Sequence, residues 1–225
     1  MGKLHIDNNG EVWCNGTFGD AYMMCLKMYG NDIKKINFHT ISENLIPTIK
    51  EIVSILGDIP FEYIDYETLD KHKRCVGFID KDEEATPFPK WELPDISKFK
   101  LPSEYQVIQL QSGVNISKTP WKKIDNNVTD YLSDTPIILL GTDTMDISFL
   151  NGDTLDLRGG TTILESLSIL RGANHFYGPQ GLLSFFALSQ KVKSTIWIKH
   201  PSDVRAVNYR IELIPEWEGL KTYVK

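Results

Sequence analysis

Between Asp156 and Lys199 the chain runs turn, helix, strand, turn, helix, strand, and this order constrains the fold more than any other feature. Gly159-Gly160 leads into Thr162-Ile-Leu-Glu-Ser-Leu-Ser-Ile-Leu, whose apolar spacing predicts a helix. His175-Phe-Tyr reads as a short strand and Gly178-Pro-Gln-Gly181 as a turn. Leu182-Leu-Ser-Phe-Phe-Ala-Leu predicts a second helix, and Ser194-Thr-Ile-Trp-Ile another strand. Strands separated by helices imply βαβ units and a largely parallel sheet, hence an α/β protein. A glycine turn from a strand into a helix presents N–H groups that lack helical partners, which favours an anion such as phosphate.

The first part of the chain alternates in the same way. Glu11-Val-Trp-Cys predicts a strand ending at Asn15-Gly-Thr-Phe-Gly-Asp20, and Ala21-Tyr-Met-Met-Cys-Leu-Lys-Met a helix stopped near Gly30. Ile33 to His39 reads as a strand, and Ile49, Ile52, Val53 and Leu56 fall on one face of a helix over Leu45–Leu56. Phe61-Glu-Tyr-Ile and Cys75-Val-Gly-Phe-Ile predict further strands. Pro87, Pro89, Pro94 and Pro102 break any regular element, so a linker lies at about 86–102. Beyond it Gln106-Val-Ile-Gln-Leu and Pro136-Ile-Ile-Leu-Leu predict strands, with a helix between Trp121 and Leu132.

A net charge of -6 argues against a general nucleic-acid or anionic-membrane binder. Three scattered cysteines form neither a disulfide framework nor a zinc pattern. The N-terminus has no signal-like apolar run and no stretch is long enough to span a bilayer, so a cytoplasmic protein is expected.

The 156–199 block, with Gly16-Thr-Phe-Gly19-Asp20 and Lys118-Thr-Pro-Trp121, resembles the bacterial heptosyltransferases, glycosyltransferases of family 9 and of the GT-B type. The resemblance covers roughly Tyr105 to His200 and the first loop. It implies two Rossmann-like halves with largely parallel sheets and an interdomain cleft. The acceptor side would be 1–100 and the nucleotide-binding half 101–225. It also implies metal-independent, inverting transfer from a nucleotide-sugar donor to an acceptor hydroxyl, with no cofactor beyond the nucleotide-sugar as co-substrate.

By this resemblance Asp20, in the loop held by Gly16 and Gly19, is the general base. An alcohol is a poor nucleophile until a positioned carboxylate takes its proton. The competing reading is that Asp20 caps a helix starting at Ala21. Lys118 would meet the donor diphosphate, as against a solvated lysine beside Lys122 and Lys123. Asp143, after Leu140-Gly-Thr, would lie near the ribose, although Asp143 and Asp146 equally suit loop or cap roles. Thr161, Thr162 and Ile163 match the loop that packs on the base, while a Thr N-cap explains the same letters. In Gly178-Pro-Gln180-Gly181-Leu-Leu-Ser184, relatives carry Asp-Ser/Thr-Gly and then His three residues on. Here Pro179, Gln180 and Ser184 stand at those positions and Gly181 is kept, so a phosphate can still approach the backbone.

Asp80 and Asp82 form an Asp-x-Asp of the kind that holds a divalent ion on a diphosphate, but the surrounding Asp80-Lys-Asp-Glu-Glu84 also suits a solvated acidic loop, and no metal is expected. Two alternatives accompany transfer: a non-catalytic nucleotide- or carbohydrate-binding protein of the same fold, and a nucleotide-sugar epimerase or hydrolase.

Overall fold

The computed structural model describes residues 5–40, 42–71, 85–112, 122–124, 126–150, 152–198 and 214–224. The chain divides into two compact units, Met1–Glu92 with Tyr209–Glu216 and Leu93–Asn208 with Trp217–Lys225.

In the first unit, β1 (His5–Ile6) runs antiparallel to β2 (Glu11–Asn15). Helix α1 (Phe18–Met28) leads to β3 (Lys35–His39), and α2 (Ile46–Val53) leads to β4 (Phe61–Tyr63). β2, β3 and β4 are parallel neighbours in that order. A short helix, α3 (Tyr66–Lys71), follows β4. Every residue of α1 from Ala21 to Met28 is buried, as expected of a helix apolar on nearly all sides. α2 buries Ile49, Ile52 and Val53, one face at helical spacing. The strand expected at Cys75–Ile79 lies outside the described residues.

The proline-rich stretch divides its attachments. Trp91 is buried, donates its Nε1–H to the Tyr22 hydroxyl at 3.0 Å and meets the Tyr29 ring edge-on. Further along, the Pro94 carbonyl accepts from the Ser168 hydroxyl at 2.9 Å, and Lys98 pairs with Glu165.

The second unit is built on six strands. They are β5 (Gln106–Ile108), β8 (Ile137–Leu139), β9 (Thr154–Asp156), β10 (His175–Pro179), β11 (Lys193–Trp197) and β12 (Lys221–Val224). A separate two-stranded ribbon joins β6 (Gln111–Ser112) to β7 (Lys122–Lys123). Every pairing in the large sheet is parallel, and its order is β12-β11-β10-β5-β8-β9. Numbered along the chain and read from the β9 edge, that is 3-2-1-4-5-6, the order of doubly wound dinucleotide-binding sheets. β5 and β8 are buried throughout, as central parallel strands must be.

Helix α4 (Ile163–Arg171) connects β9 to β10, and α5 (Leu182–Ser189) connects β10 to β11. On one sheet face Ile108, Leu139, Tyr177, Trp197 and Val224 form a core covered by Met145, Ile147, Phe149 and Leu150. That cover is loop, which explains how β8 reaches β9 with no helix between them among the described residues. The helix expected between Trp121 and Leu132 is instead β7 followed by a 3₁₀ turn over Asn126–Tyr131. Asn-Asn-Val-Thr-Asp is a run of poor α-helix formers, and paired asparagines compete for backbone groups. β9 and β12 have no counterpart among the strands read from the sequence.

Candidate functional site

Since all six strands point the same way, their carboxyl ends share one edge. The chain order reverses between β5 and β10: one connection leads outward to β8, the other to β11. Crevices at such reversals are where open parallel sheets bind ligands. Gln109 to Ser112 leave β5 there, and Gln180 and Gly181 leave β10.

Gly178 and Pro179, expected in the turn, are the last residues of β10, paired with Ile196 and Trp197. The turn itself is Gln180–Gly181. Gly178 is needed for close approach: a Cβ there would lie 2.6 Å from the Phe176 ring and 3.1 Å from the Gln109 carbonyl. A Cβ on Gly181 would meet the Ser112 hydroxyl at 3.3 Å. Ser112 Oγ donates to the Gln180 carbonyl at 3.0 Å, tying the exits of the two strands together.

Ser184 is fully buried, and its hydroxyl accepts from the Gly181 N–H at 3.0 Å and donates to the Gly181 carbonyl at 2.9 Å. It closes the first turn of α5. The amides that begin α5 then belong to Leu182, Leu183 and Ser184, with no acidic residue in the turn. α4 begins differently. Its N-cap Thr162 accepts from the Glu165 N–H at 3.2 Å, while the Glu165 carboxylate accepts from the Thr162 N–H at 2.9 Å. Thr161 shares a 2.7 Å hydroxyl contact with Ser166, and Ile163 is the first residue of the helix. A carboxylate thus already occupies the start of α4, and α5 is the helix of the two suited to an external anion.

Asp143 follows Gly141 at the end of β8. Its side chain is 5% exposed and its Oδ1 accepts from Arg158 Nη1 at 2.9 Å and from the Met145 N–H at 3.1 Å. Arg158, after β9, also grips Asp156 through Nε (2.9 Å) and Nη2 (2.7 Å), and donates to the Met145 carbonyl. Those hydrogen bonds hold the Asp156 carboxyl below the usual carboxylate range. Two buried oxygens at this edge, Asp143 Oδ2 and Gln109 Oε1, have no hydrogen-bond partner among the described residues. Leaving a buried acceptor unpaired costs about 1–3 kcal/mol, so each calls for an explanation. Gln109 carries no motif in the sequence, and Ser112 and Arg158 are only the first letters of the segments leading to Lys118 and to Thr161–Ile163; the strand order brings them to this edge.

In the first unit, the helix after β2 starts at Phe18 rather than Ala21, with Thr17 as N-cap. Gly19 is its second residue and Asp20 its third. Asp20 Oδ2 accepts from the Thr17 N–H at 3.0 Å and the Thr17 hydroxyl at 3.2 Å, closing a capping box. Gly16 has φ +147°, and a Cβ there would collide with the Asp20 side chain, so a glycine is required. Asp20 is half-buried in the first turn after β2, and Asn15, the last residue of β2, has a buried Oδ1 that also lacks a hydrogen-bond partner among the described residues. Lys118, Asp80 and Asp82 lie outside the described residues. Among those described, no three His, Cys, Asp or Glu side chains are grouped to hold a metal ion, and no helix is long and apolar enough to cross a membrane.

The class defined by this geometry is an α/β protein whose second unit has a parallel sheet in Rossmann-type order, with polar side chains along the carboxyl edge of its strands. No family model matches the chain, and no curated protein matches it in sequence. Among solved structures it is similar to the iron-containing dodecameric glycosyltransferase TibC from enterotoxigenic E. coli, at 15% identity and TM-score 0.42 over 82% of this chain and 57% of that one. It is also similar to the E. coli ADP-heptose lipopolysaccharide heptosyltransferase II, at 9% identity and TM-score 0.43 over 94% of this chain and 89% of that one. A family 9 glycosyl transferase from Veillonella parvula matches at 9% identity and TM-score 0.37, over 80% of this chain and 62% of that one. The chain therefore spans less than two thirds of the first and third of these proteins.

Proposed function

We propose that the chain transfers a sugar from a nucleotide-sugar donor to an acceptor hydroxyl, without a metal ion. The nucleotide half of this reading is carried by one observation: the strand order reverses at β5 and β10, with the uncapped-by-acid start of α5 beside the reversal. The sugar-transfer half rests on the sequence resemblance at Gly16–Asp20 and Lys118–Trp121.

In this reading the second half of the chain, 101–225, holds the donor. The diphosphate lies against the amides that begin α5, where the helix dipole favours negative charge. Lys118 offsets the charge that builds on the leaving nucleoside diphosphate. Asp143 accepts a hydrogen bond from a ribose hydroxyl, and the loop Thr161–Ile163 packs on the base. The first half, 1–100, serves the acceptor. As the acceptor oxygen bonds to the anomeric carbon, its proton passes to the Asp20 carboxylate. The bond to the nucleoside diphosphate breaks with its electron pair on the departing phosphate oxygen, and the anomeric centre inverts.

Melting the protein with each nucleoside diphosphate and nucleotide sugar in the presence of EDTA tests the binding half. Saturating ligand at about 100 times its Kd adds about 2.7 kcal/mol of stability, so the melting temperature is expected to rise without added metal. Protection only with magnesium or manganese would replace this reading with a metal-dependent one at Asp80 and Asp82. No protection by any base would end both.

A further inference from the structure

The first unit carries a cavity of about 400 Å³ that the nucleotide reading does not use. It opens where α1 ends at Met28 and where the 3₁₀ turn continuing α2 ends at Leu56, beside Lys90–Glu92. Asn31 and Ile59, which precede β3 and β4, also border it, so it lies at the amino edge of the sheet. Asp20 belongs to the opposite edge, in the first turn of α1. Gly30 and Gly57 border the cavity, and a Cβ on either would meet no atom within 4 Å, so its mouth is clear there. Tyr29 and Trp91 form a wall, edge to face, with ring centroids 4.9 Å apart at 85°.

The chemistry of this lining is one-sided, because its side-chain donors are already spent within the fold. The Tyr29 hydroxyl donates to the Lys90 carbonyl at 3.4 Å, and Trp91 Nε1–H to the Tyr22 hydroxyl at 3.0 Å. The Asn31 amide donates to the Lys27 carbonyl at 2.9 Å, and the Ser54 hydroxyl to the Glu51 carbonyl at 2.7 Å. With their polar ends tied back, the two rings present π surface, whose face attracts positive charge. Two helical runs end at the same space and bring the negative ends of their dipoles to it. Lys27 and Lys50, in the last turns of α1 and α2, are not among the lining residues. Lys90 is, but it is exposed at the rim, with the Glu92 carboxylate two residues on. An anion meets spent donors and repelling carbonyl ends, and a neutral apolar ligand leaves those ends unmatched. We infer that this cavity is a site for an organic cation, an alkylammonium group held by Tyr29 and Trp91. The site is independent of the nucleotide-binding reading.

The test is an NMR titration at constant ionic strength that follows the Trp91 indole N–H, assigned by its loss in Trp91→Phe. The probes are choline, as a free ammonium, the methylamide of acetyl-lysine, as a protein side chain, and dimethylbutanol, the uncharged isostere of choline. At least one cation is expected to shift the resonance saturably, and dimethylbutanol to bind at least about tenfold more weakly than the tighter cation. Which cation binds tighter tells a free ammonium from a side chain. Tyr29→Leu keeps apolar bulk without a π face and is expected to weaken the cation about tenfold, while Tyr29→Phe keeps the ring and is expected to bind within about twofold of wild type. Both variants are melted first, so that only folded protein is titrated. No saturable shift with either cation, equal affinity for choline and dimethylbutanol, or wild-type affinity in folded Tyr29→Leu overturns the site. Each of these results leaves nucleotide binding standing, because the melting experiments above read that separately.

Discussion

Asp20→Asn is expected to leave the protein folded and nucleotide affinity unchanged while sugar transfer falls roughly 10²–10⁴-fold, the span of a general base. The expectation separates two roles that one carboxylate holds. Asp20 closes the capping box of α1 through Oδ2, with Thr17 donating from both its N–H and its hydroxyl. Asparagine keeps an oxygen in the same place, so the box survives. What is lost structurally is a negative charge in the first helical turn, worth about 0.3–1 kcal/mol. A loss of that size lowers the melting point slightly and does not slow chemistry a hundredfold. Thr17→Ala supplies the converse: it loosens the cap and spares the carboxylate. Transfer by Asp20→Asn within about threefold of wild type would reduce Asp20 to a helix cap. It would also move the protein toward the non-catalytic reading.

The second large effect is on stability. Arg158→Met is expected to cost about 3–5 kcal/mol, because it strands a carboxylate that is 5% exposed. For a chain of this size that corresponds to a fall of about 10 °C in the transition of the second unit. Arg158 makes four hydrogen bonds at this edge besides its own backbone contact: two to Asp156, one to Asp143 and one to the Met145 carbonyl. Pairing the change with Asp143→Leu should recover much of the loss, as a buried ion pair replaced on both sides by apolar groups is nearly neutral. A single variant that melts within 2 °C of wild type would show that the pair carries little, as exposed ion pairs do.

Much of this architecture is legible along the chain, and the parts that are not share a cause. α1, α4 and α5 follow from apolar spacing and from caps within four residues, such as Thr162 with Glu165. The central strands follow from their unbroken apolar runs, as in Ile137-Ile-Leu. β9 and β12 escape notice because they are edge strands of three and four residues, with only Val224 buried in the latter. The 3₁₀ turn at Asn126–Tyr131 escapes because Val128 and Leu132 mimic helical spacing in a segment too short and too Asn-rich to hold an α-helix.

At the site, local chemistry is readable and long-range placement is not. Gly181 and Thr162 announce helix starts by themselves. Ser184 turns inward because a hydroxyl three residues into a helix that begins at glycine can bond back to that glycine. Gln109 is an ordinary letter in a strand until β10 packs beside it. Its neighbours Gly141 and Gly178 are 32 and 69 residues away, so nothing local marks it.

The central claim is a place: a nucleotide bound where β5 and β10 diverge. Photolabelling with an azido nucleoside diphosphate, followed by peptide mapping, tests it directly. The account predicts saturable labelling, displaced by unlabelled nucleotide, on the peptides that carry Gln109–Ser112, Gly141–Asp143 or Gln180–Ser184. Saturable labelling confined to residues before Glu92, or labelling that unlabelled nucleotide does not displace, would contradict it.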